Sequence, residues 1–302
     1  MTAAADRMLT DSLIVGAHPD DEMLWFNAIV GRVDEVVIVY GDYWAQPGLG
    51  ERRRRAVAEL PLRRVTHLDI AEAGTYGCAN WAEPVLGEHG LKLGLEETRR
   101  EMTRLAKRSA GSVLPVSLNA SPARVAAHYR ENFDRITRAL KPRLRPGMNV
   151  FTHNPWGEYG HEDHVQVFAV LAALRERIGF RLWMSNYATE RSLPLAMRYF
   201  RSAPGPYLRL RTDKALSGAI ADVYRRHDCW TWSDDWSFFD EECYMEAPRP
   251  AASAGGGGPH QHLFPLNLFT IEERRRSLRA PIAATGAVAL SAMLGAALME
   301  AF

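Results

Sequence analysis

The stretch Leu13-Ile14-Val15-Gly16-Ala17-His18-Pro19-Asp20-Asp21-Glu22 decides how the chain is read. Its first half, Leu13 to Ala17, is an apolar run of strand length, and its second half gathers metal-binding and proton-transfer side chains at the strand's end. Pro19 cannot continue a strand ladder, so it suits a turn there. Asp20, Asp21 and Glu22 then open a helix, where carboxylates complement exposed backbone N–H groups and the positive end of the helix dipole. A fixed string such as His18 to Glu22 recurs by chance about once in 10^4 chains of this length, so a second cluster of the same chemistry carries weight.

That second cluster is His161-Glu162-Asp163-His164. On a helix, His161 and His164 share a face, and the apolar spacing of Val165, Val167, Phe168, Val170 and Leu171 supports a helix from about His161. Asn149 to Thr152 reads as a short strand before it. His153-Asn154-Pro155-Trp156-Gly157-Glu158-Tyr159-Gly160 reads as a loop rich in turn formers. Each cluster therefore sits where a strand passes into a helix. Imidazole and carboxylate are good zinc ligands, and a catalytic zinc takes three protein ligands and leaves one position open. His18 and one aspartate supply two, and the second cluster can supply the third.

Further strands are expected at Val36 to Tyr40, Val65 to Ile70, Met148 to Thr152 and Arg181 to Ser185. Helices are expected at Glu22 to Val30, Glu51 to Leu60, Leu95 to Lys107 and Ala123 to Leu140, and after His161. Alternation of this kind predicts an α/β, Rossmann-like three-layer fold: a mostly parallel sheet, right-handed crossovers and helices on both faces. Such sheets bind ligands beyond the carboxyl ends of their strands, where both clusters fall.

With Gly16-Ala17 ahead of the first cluster, and with Thr152-His153-Asn154 and Glu158-Tyr159-Gly160 ahead of the second, the chain resembles the LmbE-like, or PIG-L, family of zinc-dependent N-acetylglucosaminide deacetylases. Lys214 to Trp232 and Glu242 to Met245 more weakly resemble the family's closing helix and its ending, so the likeness spans roughly residues 12 to 245. The resemblance implies Zn2+, or another divalent ion such as Fe2+, held by His18, Asp21 and His164. It implies Asp20 as general base on zinc-bound water, His161 facing the oxyanion, Tyr159 approaching the substrate carbonyl, and Asp163 orienting or tuning a histidine. The substrate would be a small-molecule N-acetylglucosaminyl conjugate, and the products acetate and a free amino sugar. Glu162 stands where the family often has proline. That departure leaves the flanking ligands intact and opens the question of the local substrate contact.

Three other functions compete. The same zinc chemistry serves for a non-sugar N-acyl amine. A non-catalytic metal-binding or membrane-associated scaffold is a different class, and Asp20 counts against it because a structural site needs no base. A nucleotide-sugar transferase would need a diphosphate-binding feature, and no glycine-rich phosphate loop is present.

Individual residues also have plainer roles. Asp20 and Asp21 can cap a helix. His153 can shape the site or fill the loop, and Tyr159 can simply pack. The run Arg52-Arg53-Arg54-Arg55 reads first as a solvated helix face and second as a substrate contact. Tyr76, Asn80 and Trp81, in the glycine-containing stretch from Ala71 to Leu93, are candidates for a lid. Trp44, Trp81 and Trp156 can cover a sugar ring or pack, and Asp42 can bind hydroxyls or end a turn.

At 302 residues the chain can bury a large core, and one enlarged domain spanning both clusters is expected. The formal net charge of +1 gives no signal for nucleic acid. Cys78, Cys229 and Cys243 are odd in number and lack metal-site spacing. With no secretory signal in Met1 to Ser12, they point to a reducing, cytoplasmic setting. The expected organisation is a deacetylase domain over residues 1–245, a Gly/Pro-rich linker over 246–262 and an extension over 263–302. His260 and His262 read as a surface loop. Pro281 to Leu298 carries no charge over 18 residues, behind Arg274-Arg275-Arg276 and Arg279. Its alanine content favours a helix packed on the domain or on another copy of the chain over membrane contact, for which the length only just suffices.

Overall fold

The computed structural model describes residues 8–42, 48–94, 122–200, 207–247 and 265–271. In chain order its elements are β1 (Ser12–Gly16), α1 (Asp21–Leu24), β2 (Glu35–Asp42), α2 (Leu49–Ala58), β3 (Val65–Ala71), β4 (Leu86–Gly87), β5 (Gly90–Leu91) and α3 (Pro122–Leu140). There follow β6 (Asn149–Thr152), α4 (Glu162–Ile178), β7 (Arg181–Met184), β8 (Tyr187–Ala188), α5 (Leu193–Phe200), β9 (Tyr207–Arg211), α6 (Lys214–Arg226), β10 (Glu241–Glu246) and β11 (Asn267–Leu268).

Seven strands form the main sheet in the order β3-β2-β1-β6-β7-β10-β9. The pairs from β3 to β7 are parallel, whereas β10 is antiparallel to both β7 and β9. The predicted α/β fold with a mostly parallel sheet is what the chain adopts. Strand order reverses between β1 and β6, whose ends carry the two clusters, and a crevice opens at such a reversal in parallel sheets.

Period-two alternation divides the strand side chains between two cores. Leu13 and Val15 of β1, Val150 of β6, Leu182 and Met184 of β7 and Met245 of β10 join a core shared with Ile136 and Leu140 of α3 and Val167, Val170 and Leu171 of α4. Ile14, Phe151, Trp183 and Tyr244 point the other way, to a core shared with Ala56 and Val57 of α2 and Ile220, Val223 and Tyr224 of α6. Strands buried on both faces read as continuous apolar runs, which is why Leu13 to Ala17 stands out in the sequence.

The expected strands agree with the observed ones to within one or two residues, and the helix expected over Glu22 to Val30 does not form as such. It is the single turn α1, followed by separate turns. To continue the helix, Asn27 N and Ala28 N would have to donate to Met23 and Leu24 carbonyls. They donate to the Glu242 carboxylate instead, at 3.2 and 2.8 Å. The antiparallel strands β9 and β10 were not among the expected elements.

The helix expected over 95–107 lies outside the described residues, as do Trp44, His260, His262 and Pro281 to Leu298. Of the region expected as linker and extension, residues 265–271 are described, and β11 lies parallel on β8. Among the described residues no helix is long and apolar enough to cross a membrane.

Candidate metal centre

The first junction is short and strained. Asp20 has φ 109 and precedes α1 without capping it: no amide of the helix bonds its carboxylate. That conformation is rare outside glycine, and it accompanies a side chain engaged elsewhere, since Thr231 Oγ1 donates to Asp20 Oδ2 at 3.0 Å. Asp21 turns back over its own loop. Its Oδ2 accepts from the His18 amide at 2.6 Å and its Oδ1 from Trp25 Nε1 at 2.7 Å. Glu22 is buried and accepts from the Asp20 amide at 3.0 Å and from Tyr224 OH at 2.7 Å.

Burial, with the Asp21 charge alongside, pushes the Asp20 carboxyl up to about 7. Asp21 goes the other way. Burial opposes its ionisation, but His164 and His153 outweigh that and hold it well below the usual carboxylate range.

The second junction wraps around one carboxylate. Glu158 is fully buried, and its Oε2 accepts from His153 Nδ1 at 2.9 Å and His164 Nδ1 at 2.7 Å. Its Oε1 accepts from the Asn154 amide at 3.0 Å and Ser185 Oγ at 2.5 Å. Burial works to raise its carboxyl, and the two histidines outweigh it, leaving the group at about 2. His161 caps α4, its Nδ1 accepting from the Asp163 amide at 3.1 Å. An accepting Nδ1 leaves the proton of the neutral ring on Nε2. Burial, with His18 and His164 nearby, keeps that ring neutral by pulling its pKa well down.

The two junctions meet. His164 Nε2 lies 3.4 Å from Asp21 Oδ1, His18 Nδ1 3.4 Å from Asp21 Oδ2, and His18 Nε2 3.4 Å from Asp163 Oδ2. Asp163 Oδ1 also accepts from Thr75 Oγ1 at 2.9 Å, so the side chain is clamped against His18. The Tyr159 ring stands edge-on to His164 and His161, with centroids at 5.2 and 5.6 Å. His18, Asp21, Tyr159, His161, Asp163 and His164 therefore converge, with Asp20 adjacent to Asp21 in the chain.

Ligand atoms at the two junctions fall into more than one group of metal-binding size: His18 with Asp21 and His164, His18 with His161 and Asp163, and His153 with Glu158 and His164. His18 Nε2 and His164 Nε2 are buried without a hydrogen-bond partner. Buried imidazole nitrogens lacking a donor, set among carboxylates, are atoms that a divalent cation would satisfy, so the donor set fits a metal.

The other residues divide among the roles open to them. Glu162 faces away from the histidines. It is fully buried and accepts from Gly77 N at 2.9 Å, Ala79 N at 2.9 Å and Trp81 Nε1 at 3.1 Å. The stretch expected as a lid is thereby tied to the start of α4, and it lays Tyr76 against His161 at 4.9 Å. Asn80 is exposed and bonds within its own loop, accepting from Ala82 N and Glu83 N. The arginine run divides: Arg52, Arg54 and Arg55 are exposed as a solvated face should be, but Arg53 is 2% exposed, beside Glu72 and Thr231. His153 shapes the centre, stacked on His164 at 3.8 Å. Trp156 packs, bonding Tyr187 O at 2.8 Å. Glu158, Thr75, Thr231, Ser185 and Glu72 escaped sequence reasoning. Only the Glu158 position carried a signal, as an acid inside the motif.

Over 174 residues, 53% of its length, the chain is 30% identical to the 1D-myo-inositol 2-acetamido-2-deoxy-alpha-D-glucopyranoside deacetylase of Actinosynnema mirum, covering 53% of that protein. The same-named protein of Kineococcus radiotolerans is 30% identical over 166 residues, 51% of this chain and 42% of its own. The chain is thus similar in sequence to two deacetylases over about half of its length. It spans about half the length of these relatives. No general profile of a protein family matches it. The crystal structure of a deacetylase–bog complex from the teicoplanin biosynthesis pathway aligns with 72% of this chain and 84% of its own, at 15% identity and a TM-score of 0.36. Against the LmbE-like pattern, the Glu162 departure acts on the wall of the site and leaves the converging histidines in place.

Proposed function

We propose that the chain is a zinc-dependent hydrolase that removes the N-acetyl group from an N-acetylglucosaminyl conjugate. The observation that carries this reading is the pair of buried nitrogens without a hydrogen-bond partner, His18 Nε2 facing Asp163 and His164 Nε2 facing Asp21, with Asp20, the neighbour of Asp21 in the chain, presenting a carboxylate that caps no helix. The printed names of the relatives, deacetylases of an acetamido-deoxyglucopyranoside, support it. Held by His18, Asp21 and His164, a divalent ion such as Zn2+ or Fe2+ would polarise the acetyl carbonyl and acidify an attacking water.

The remaining work falls to the chain. Asp20, at about 7, is suited to take the proton of that water and pass it to the departing amine. His161, protonated on Nε2, and the Tyr159 hydroxyl would donate to the carbonyl oxygen as it gains charge. Asp163, fixed by Thr75, would hold His18 in place. The proposal includes a deacetylase domain over 1–245, a linker over 246–262 and an extension over 263–302. It also includes a cytoplasmic setting, in keeping with the odd number of cysteines, Cys78, Cys229 and Cys243, all buried.

The test is release of acetate and free amine by the zinc-loaded full chain across N-acetylglucosaminides and non-sugar N-acyl amines, with Asp20→Asn as control. Release from the sugars, abolished in the control, is expected. Release from non-sugar amides alone would move the assignment to that substrate class, and undiminished release by the control would remove Asp20 from its role.

A further inference from the structure

Glu158 has φ 47, in the left-handed region that a long side chain seldom occupies. Such a conformation persists where its surroundings over-determine it, and here every polar group of the residue is engaged. Its amide donates to Asn154 Oδ1 at 3.0 Å and its carbonyl accepts from Ser192 Oγ at 2.6 Å. Its carboxylate takes the four bonds described above.

Two of those bonds have a consequence for the centre. An ionised carboxylate only accepts, so both rings facing Oε2 must carry their proton on Nδ1. For His153 the opposite edge of the ring agrees, because the Ala17 amide donates to His153 Nε2 at 2.8 Å and that nitrogen must hold a lone pair. For His164 the opposite nitrogen is the partnerless one beside Asp21. One oxygen thus sets the tautomer of two stacked rings. Through His153 it also ties the second junction to the end of β1, one residue before His18.

We infer that Glu158 is the positioning carboxylate of the centre: it keeps the proton of His164 on Nδ1, so that the Nε2 lone pair faces Asp21 and His18. This deepens the metal-centre reading and rests on it. Carboxylates bonded to the far nitrogen of a ligating histidine fix ring orientation and raise its basicity, and losing one typically weakens metal binding about 10- to 100-fold.

The test uses the full chain with Glu158→Gly, whose backbone suits the observed φ, and Glu158→Gln, which keeps the shape without the charge. Nitrogen-15 spectra of labelled histidines report the tautomers in the metal-free protein, and competition with a chromophoric chelator reports the zinc Kd. Thermal melting of the metal-free protein checks the fold. The wild type is expected to hold His164 in the Nδ1–H form. In the glycine variant that ring should become a mixture of tautomers and zinc should bind about 10- to 100-fold more weakly, with a cooperative melting transition, at a lower temperature, showing that the fold is kept. The glutamine variant should fall between. His164 remaining wholly Nδ1–H in the glycine variant, with a zinc Kd within about twofold of wild type in both variants, would overturn the inference. Should the glycine variant not fold, the same criterion on the glutamine variant's zinc Kd decides. A wild type that binds no zinc would sink the proposed function, and the tautomer spectra would still decide the role of Glu158.

Discussion

The two strand-to-helix junctions do the same job by opposite means. The first packs His18, Asp20, Asp21 and Glu22 into a few residues, yet much of what fixes it comes from far away: Thr231 on Asp20, Tyr224 on Glu22, Asp163 beside His18 and Glu242 on the turn after α1. The second is longer and adds contacts within itself, Glu158 reaching His153, Asn154 and His164 and the Asp163 amide reaching His161, to remote ones such as Ser185 on Glu158 and Thr75 on Asp163. A motif that is compact in sequence can therefore depend heavily on remote residues, while a longer one supplies part of its own support. The vulnerabilities of the two should differ accordingly.

The hardest blow to the comparison should be His164→Ala, which removes a ring shared by both junctions. Metal content and acetate release are expected to vanish together while the fold persists. Full activity would show that the junctions do not meet in one working centre. Asp20→Asn should keep the metal and lower kcat/KM about 10^2- to 10^4-fold, the usual worth of a general base. Metal loss in that variant would mean that the first junction uses Asp20 as a ligand. Tyr159→Phe, in the second junction, should reduce kcat about 10^2-fold with KM little changed, the effect of deleting one donor to a developing oxyanion. Smallest is the remote contact. Thr231→Val removes one hydrogen bond from Asp20, worth about 1 kcal/mol, so kcat should fall about fivefold with zinc affinity unchanged. An unaltered rate there would show that the first junction does not need its distant support.

The sheet and both clusters were legible because their signals are local: apolar runs of strand length, and charged or imidazole side chains directly after them. The residues that finish the centre were not, since their partners are far apart in the chain. Thr75 finds Asp163 across 88 residues and Thr231 finds Asp20 across 211, and no periodicity registers such pairs. Arg53 was hidden for another reason. Its three arginine neighbours are exposed, and a run of like residues conceals the one that turns inward. Strand β10 was masked by Glu241, Glu242 and Glu246, charges that lower strand propensity, although the buried Glu242 is satisfied by two amides and two tyrosine hydroxyls.

That buried acid also bears on how the protein is made. The turn behind the first junction owes its shape to a carboxylate more than 200 residues later in the chain. During synthesis the N-terminal strand and its histidine leave the ribosome early, but the acceptor that Asn27 and Ala28 use in the folded chain is not in place until Glu242 follows and the antiparallel strands dock. The motif that is read first is thus among the last parts of the domain to be locked.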